Sequence, residues 1–309
     1  MQNNRTTLQV GAALLIATTA GLALAGPKGP DAGDAPGILV ELKKEKGETV
    51  YTRRLEVAEA YTQTRAPARA DRVIYGDDDR REVYEYDALD PTLRAMADAA
   101  AVVIDPSEVV DNGDGTYTLL SQPWTSVPSF FGSIPLCEEE PFFGQASIGF
   151  CSSFLVGPDI IVTAGHCVDA GDISSGVGFL FGFQLNDADE TGPTIVPADK
   201  VYFGDAIINQ QLSGDFDHSV VRLDRAVSGI SPVPIRREGL VPNGAPLAVI
   251  GHPAAIIKKI AGGAIVLDNL GTQPFIQSNL DTYGGNSGSM VINLDTYVVE
   301  GILVRGAAD

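Results

Sequence analysis

"DTYGGNSGSMV", Asp281–Val291, poses the question from which this chain is read. Ser287 stands between Gly285-Asn286 and Gly288-Ser289, and the apolar Met290 and Val291 follow at once. Such a stretch is either a turn leading into a strand or the seat of a nucleophile. Glycine lets backbone N–H groups approach a developing negative charge, and no side chain blocks the way. A lone serine is nevertheless a weak nucleophile. It needs a base within hydrogen-bond reach and a third group that orients the base.

The search for a base is short, because the chain has only three histidines, His166, His218 and His252. His252 lies in "VIGHPAA", where glycine and proline on either side mark a turn and a structural duty. His166 ends the strand-like run "DIIVTAGHC"; Cys167 follows it, and Cys151 lies sixteen residues before Cys167. A Cys151–Cys167 bridge would pin the strand and the turn that carry the histidine, and a catalytic base needs such rigid placement. For the orienting acid, "GDFDHSVVRLDR" offers Asp215 and Asp217. Asp217 stands just ahead of the apolar Val220, Val221 and Leu223, at a strand entrance. An aspartate against the imidazole fixes its tautomer and stabilises the imidazolium. Taken alone, the same residue reads as a solvated turn acid.

The chain has 309 residues, 44% hydrophobic and 20% charged, which is an ordinary globular composition. Arg5 precedes the apolar run "VGAALLIATTAGLALA", which ends in the small-x-small signature Ala23-Leu24-Ala25. This reads as an export signal over residues 1–25, standing apart from the fold. The run is too short and too rich in glycine, alanine and threonine for a membrane span. Residues 26–72, opening with "GPKGPDAGDAPG", cannot build a core and read as a propeptide or spacer. The net charge of −19 disfavours nucleic acid and anionic membrane as partners. Export places the protein outside the cell or in the periplasm, with no stable membrane association after cleavage, where a disulfide can form.

Beyond residue 72 the pattern is mostly of strands. "DPTLRAMADAAAVVI" is the exception: Asp90 is an N-cap, Pro91 the first helical residue, and Leu93, Met96, Ala97 and Ala100 follow at helical spacing before a strand. "VVDNGDGTYTLLS" reads as a hairpin rather than half of a calcium loop, and Asp77-Asp78-Asp79 as a solvated turn, so no metal and no cofactor are expected. From about residue 145, short apolar strands alternate with turn signals, which makes the chain all-β, a barrel or a sandwich.

"TAGHC", "DHSVVRL" and "DTYGGNSGSMV", in that order, resemble the chymotrypsin/trypsin-like serine proteases, and most closely the secreted bacterial branch that includes the glutamyl endopeptidases. "RVIYGDDDRREV" resembles the start of the mature enzyme in that branch, so the likeness covers about residues 73–306. The resemblance implies His166 as general base, Asp217 as orienting acid and Ser287 as nucleophile. It implies an oxyanion hole formed by the N–H groups of Gly285 and Ser287. It also implies two six-stranded antiparallel β-barrels packed face to face, the first to about residue 230 and the second from about 231.

Departures from the family pattern are visible too. Asn286 stands where trypsins have an aspartate that pairs with a new amino terminus, and Met290 where proline is usual. The family fold needs a further strand and a C-terminal helix after "VVEGILVRGAAD", so the chain reads as a fragment that leaves Cys137 unpaired. Asp281, six residues before Ser287, falls where trypsins select basic residues; Thr282, Leu303 and Val304 would line the same pocket. The histidine used by glutamyl endopeptidases on the "GIxV" strand is replaced by Leu303. The expected function is thus a secreted serine endopeptidase acting on protein or peptide substrates. The competing readings are a catalytically silent binding module of the same fold and a protease-chaperone.

Overall fold

Ala100–Ile104, "AAVVI", is buried at every position. A strand covered on both faces needs neighbours on both edges and packing on both sides. In the computed structural model, which describes residues 15–19, 72–124, 138–269, 271 and 274–306, it has them. It pairs with Cys151–Gly157 on one edge and Gly178–Phe181 on the other. Val201–Ser213, Phe216–Leu223 and Ile160–Thr163 continue the order and close a six-stranded barrel. Leu155, Ile161, Phe179, Phe181 and Val221 share its inner face and are fully buried. Each such side chain contributes about 1.5–3 kcal/mol relative to an exposed one.

The helix expected after Asp90 forms over Pro91–Ala97. The Asp90 carboxylate accepts the Leu93 N–H at 3.0 Å, and Leu93 and Ala97 face the core. Ala100, which also fits the helical spacing, instead opens the barrel strand. Asn112–Gly115 turn a hairpin between Val109–Asp111 and Thr116–Leu119. Gly113 and Gly115 take the positive φ values, 73° and 88°, that this turn requires.

The second sheet runs Pro246–Gly251, Met290–Asn293, Val298–Arg305, Leu15–Thr19, Phe275–Ser278, Lys259–Asp268 and Arg80–Glu82. Pro246–Gly251 also pairs with Lys259–Asp268. Leu15–Thr19 belongs to the run read above as an export signal apart from the fold. In the structure these residues lie in the sheet, parallel to strands on both sides, with Ile16 opposite Phe275 and Ile302. A short apolar, threonine-containing stretch satisfies a strand position as well as a signal core. Cys137 lies outside the described residues.

Arg72–Val73 pairs with Thr282–Tyr283, directly ahead of the Ser287 turn. The loop that follows is tied down from the same place: the buried Asp281 carboxylate accepts the N–H of Tyr75 and of Asp79, both at 2.8 Å. Arg80 then stacks its guanidinium 4.1 Å over the Tyr283 ring.

Candidate active site

The barrel presents His166 just past the end of Ile160–Thr163. The turn that carries it lies tightly against the hairpin of Val201–Ser213 and Phe216–Leu223. A β-carbon on Gly165 would come within 2.6 Å of the Gln211 carbonyl oxygen and 2.8 Å of the His218 nitrogen, so this residue must be glycine. Gln210 fastens the turn from the hairpin side, donating to the carbonyls of Gly165 at 2.8 Å and Val168 at 3.1 Å. Cys167 is bonded to Cys151 on the neighbouring strand, with Cα atoms 6.2 Å apart.

Asp217, second residue of Phe216–Leu223, meets His166 twice. Its Oδ2 lies 2.8 Å from His166 Nδ1, and its Oδ1 accepts the His166 backbone N–H at 3.0 Å. An ionised carboxylate only accepts, so Nδ1 carries a proton and donates it to Asp217. Burial alone would raise the Asp217 carboxyl. The hydrogen bond and charge of His166, with the N–H groups of His166 and Gly165, outweigh it and hold the group below the usual aspartate value. The His166 side chain is 39% exposed and Asp217 only 13%, so the imidazole faces outward and its carboxylate anchor inward. His218, adjacent in sequence, turns its Nε2 to Asn209 Oδ1 at 2.7 Å.

Ser287 sits in the turn between Thr282–Tyr283 and Met290–Asn293. Gly285 and Gly288 flank it with φ of 90° and 91°. Both positions are also too close to neighbours for a side chain. A β-carbon on Gly288 would lie 1.9 Å from the Ser152 carbonyl oxygen, and one on Gly285 2.5 Å from the Ala255 nitrogen. The Ser287 carbonyl accepts the Ser152 N–H at 2.7 Å and lies 3.7 Å from the Cys167 sulfur. The Ser287 turn and the His166 turn thus meet across residues 151–152 and 167. Among the described residues, the Ser287 hydroxyl makes no hydrogen bond to His166, and the N–H groups of Gly285 and Ser287 have no acceptor. Catalytic hydrogen bonds often tighten only when substrate is bound.

The four residues expected to line a pocket are all buried. Asp281 holds Tyr75 and Asp79 as described, Thr282 pairs with Val73, and Leu303 bridges the turn by bonds to Gly288 N and Ser289 O. Val304 packs in the main core. Cys151, His166 and Cys167 offer donor atoms within 4.8 Å of one another, but the sulfurs are joined as a disulfide and supply no thiolate to a metal.

One support was not singled out from the sequence: Ser152, whose only sequence mark is its place beside Cys151. A second support is the turn that glycine and proline mark around His252, which spans His252–Ile256. Ala254 and Ala255 have φ of 50° and 51°, a conformation unfavourable to alanine. Ala254 donates its N–H to Gly284, and Gly285 packs against both alanines. His252 is fully buried, with Nδ1 2.9 Å from the Ile256 carbonyl.

The family described as trypsin-like peptidase domain matches residues 151–302. That span begins at the first disulfide cysteine and contains His166, Asp217 and Ser287. No curated protein matches the sequence. Among solved structures, the Rv3671c protease in its inactive form is similar with a TM-score of 0.43 and 14% identity, over 72% of this chain and 85% of that one. The serine endoprotease from Yersinia pestis is similar with a TM-score of 0.41 and 13% identity, over 68% of this chain and 55% of that one.

Proposed function

We propose that this chain is a serine endopeptidase that cleaves peptide bonds through an acyl-enzyme. The observation that carries this reading is the double attachment of His166 to Asp217, with the Ser287 turn held against the adjoining disulfide. Ser287 Oγ attacks the scissile carbonyl carbon while His166 Nε2 takes its proton. Asp217 stabilises the resulting imidazolium. The oxyanion of the tetrahedral intermediate receives the N–H groups of Gly285 and Ser287, which have no other acceptor among the described residues. Collapse breaks the C–N bond, and His166 returns the proton to the leaving amine. Water then repeats the sequence on the acyl-enzyme and releases the acid.

The pairing of Pro246–Gly251 with Lys259–Asp268 supports reading the second sheet as a second barrel. The small-x-small signature ending at Ala25 and the Cys151–Cys167 disulfide support export to the cell exterior or periplasm. Among the described residues no helix is long and apolar enough to cross a membrane. A preference for basic residues before the scissile bond rests on Asp281 alone, and both its oxygens already accept backbone N–H groups. Kinship with the glutamyl endopeptidase branch rests on the quoted motifs.

A fluorophosphonate probe tests the assignment. It is expected to label Ser287 in the wild-type protein, with loss of labelling and of peptide hydrolysis in Ser287→Ala. The missing Ser287–His166 hydrogen bond favours one second reading, a silent binding module. An unlabelled, correctly folded wild-type protein would establish that reading instead.

A further inference from the structure

Ser152 is fully buried and next to a disulfide cysteine, and all its polar atoms but one are turned toward the Ser287 turn. Its N–H donates to the Ser287 carbonyl at 2.7 Å. Its hydroxyl donates to the Gly285 carbonyl at 3.0 Å and accepts the His252 N–H at 2.8 Å. Its carbonyl accepts the Thr163 hydroxyl at 2.7 Å, from the end of the strand that leads to His166. We propose that the Ser152 hydroxyl is a positioning residue for the oxyanion hole, fixing the nucleophile turn relative to the histidine turn. The proposal rests on the endopeptidase reading above.

The backbone accounting gives this hydroxyl its weight. The Gly285 carbonyl belongs to the peptide lying between the two proposed oxyanion donors, Gly285 N–H and Ser287 N–H. Fixing that peptide plane fixes how the two donors converge. Gly285 is itself at φ 90°, in a region where glycine has no side chain to resist rotation. Among the described residues, the Ser152 hydroxyl is the sole partner of both the Gly285 carbonyl and the His252 N–H. One serine hydroxyl can donate once and accept up to twice, so it satisfies both. The backbone bond from Ser152 N to Ser287 O would remain after side-chain truncation, but it constrains the far side of the nucleophile and not the Gly285 peptide. Cys151 ties the same segment to Cys167 beside the base. One dipeptide, Cys151-Ser152, therefore joins the base to the oxyanion donors.

A control is built into the sequence. Ser153 is equally buried, and its hydroxyl donates to the Ala101 carbonyl at 3.0 Å, inside the barrel and away from the turn. Ser152→Ala and Ser153→Ala each delete one buried hydroxyl, so losses of thermal stability should be comparable. Only Ser152→Ala should lower kcat, by about ten- to a hundredfold, the scale of a small misplacement in a preorganised site. Its KM for a peptide substrate should stay within about threefold, because the donors act on the transition state. Ser152→Gly should give the same split and guards against a packing effect of the alanine methyl group. Amide hydrogen exchange gives a second readout, independent of turnover. His252 and residues 284–288 should exchange faster in Ser152→Ala than in Ser153→Ala. Equal kcat in the two alanine variants, or equal exchange of the turn, would overturn the positioning role. A wild-type enzyme that hydrolyses nothing would overturn the endopeptidase reading, while the exchange comparison would still decide whether Ser152 holds the turn.

Discussion

Asp217 binds His166 at two points, the ring Nδ1 and the main-chain N–H. The first contact sets the tautomer, and the second fixes the backbone from which the ring projects. A neutral amide in place of the carboxylate can keep one contact only by forcing the other into a mismatch. Asp217→Asn is therefore expected to lower kcat by on the order of 10⁴-fold and to lower the melting temperature at neutral pH. Because His166 and nearby N–H groups hold the Asp217 carboxyl below its usual value, its contribution to stability is present above that value and is lost as pH falls below it. Thermal melts of the wild type and of Asp217→Asn across one pH series check this: the gap between them should close as pH falls.

The Cys151–Cys167 bridge closes a span of 16 residues, for which the chain-entropy model gives about 3 kcal/mol. The paired variant Cys151→Ala, Cys167→Ala should therefore melt several degrees lower than the wild type. Non-reduced peptide mapping should recover the two cysteines as one cross-linked pair. Since the bridge also anchors the residue following His166, kcat should fall more than KM changes. A variant that loses stability yet keeps full turnover would confine the bridge to a structural part.

Asp281 makes the pH dependence of stability run the opposite way from Asp217. Burial outweighs its two N–H partners and pushes its carboxyl up to about 6. The folded chain then keeps a proton that the unfolded chain has already released, so this group lowers stability as pH rises from about 4 to about 6. Asp281→Ala should abolish that component. It should also release the N–H groups of Tyr75 and Asp79, seen as faster hydrogen exchange over residues 74–79. Substrate profiling of the same variant checks specificity: an unchanged preference at the residue before the scissile bond would exclude Asp281 from substrate selection.

Much of this site is legible in local sequence, because its parts obey local rules. Asp90-Pro91 announces a helix start, Asn112–Gly115 a hairpin, and the strand-to-turn patterns around His166 and Asp217 place both residues at strand ends. What escapes the sequence depends on contacts between distant segments. Nothing in "HPAAI" marks Ala254 and Ala255 as left-handed; only the close approach of Gly284 and Gly285 selects that backbone. Ser152 looks like any serine in a strand until its hydroxyl is found between His252 and Gly285. Asp281 lies at the sequence offset of a specificity residue, but its acceptors are engaged by a loop some two hundred positions away.

Gly288 offers the sharpest single-site test of how the two halves of the site meet. Its nitrogen donates to the Leu303 carbonyl at 2.7 Å, and its φ is 91°. A β-carbon there would fall 1.9 Å from the Ser152 carbonyl oxygen and 2.3 Å from the Thr163 hydroxyl oxygen. Neither atom can retreat freely: Ser152 belongs to a barrel strand, and its carbonyl and the Thr163 hydroxyl are bonded to each other. Gly288→Ala thus combines backbone strain with a backbone collision, and the turn must move outward to admit the methyl group. Displacement of the neighbouring Ser287 by about 1 Å is enough to cost about a hundredfold in rate. We expect loss of fluorophosphonate labelling beyond that factor, together with a lowered melting temperature. Gly271→Ala is the contrasting case, because its φ of 47° is also positive but a β-carbon meets nothing within 4 Å. That variant should carry the conformational cost alone and keep its labelling rate. Equal labelling of both variants would show that the contact between Gly288 and Ser152 does not set the position of the nucleophile.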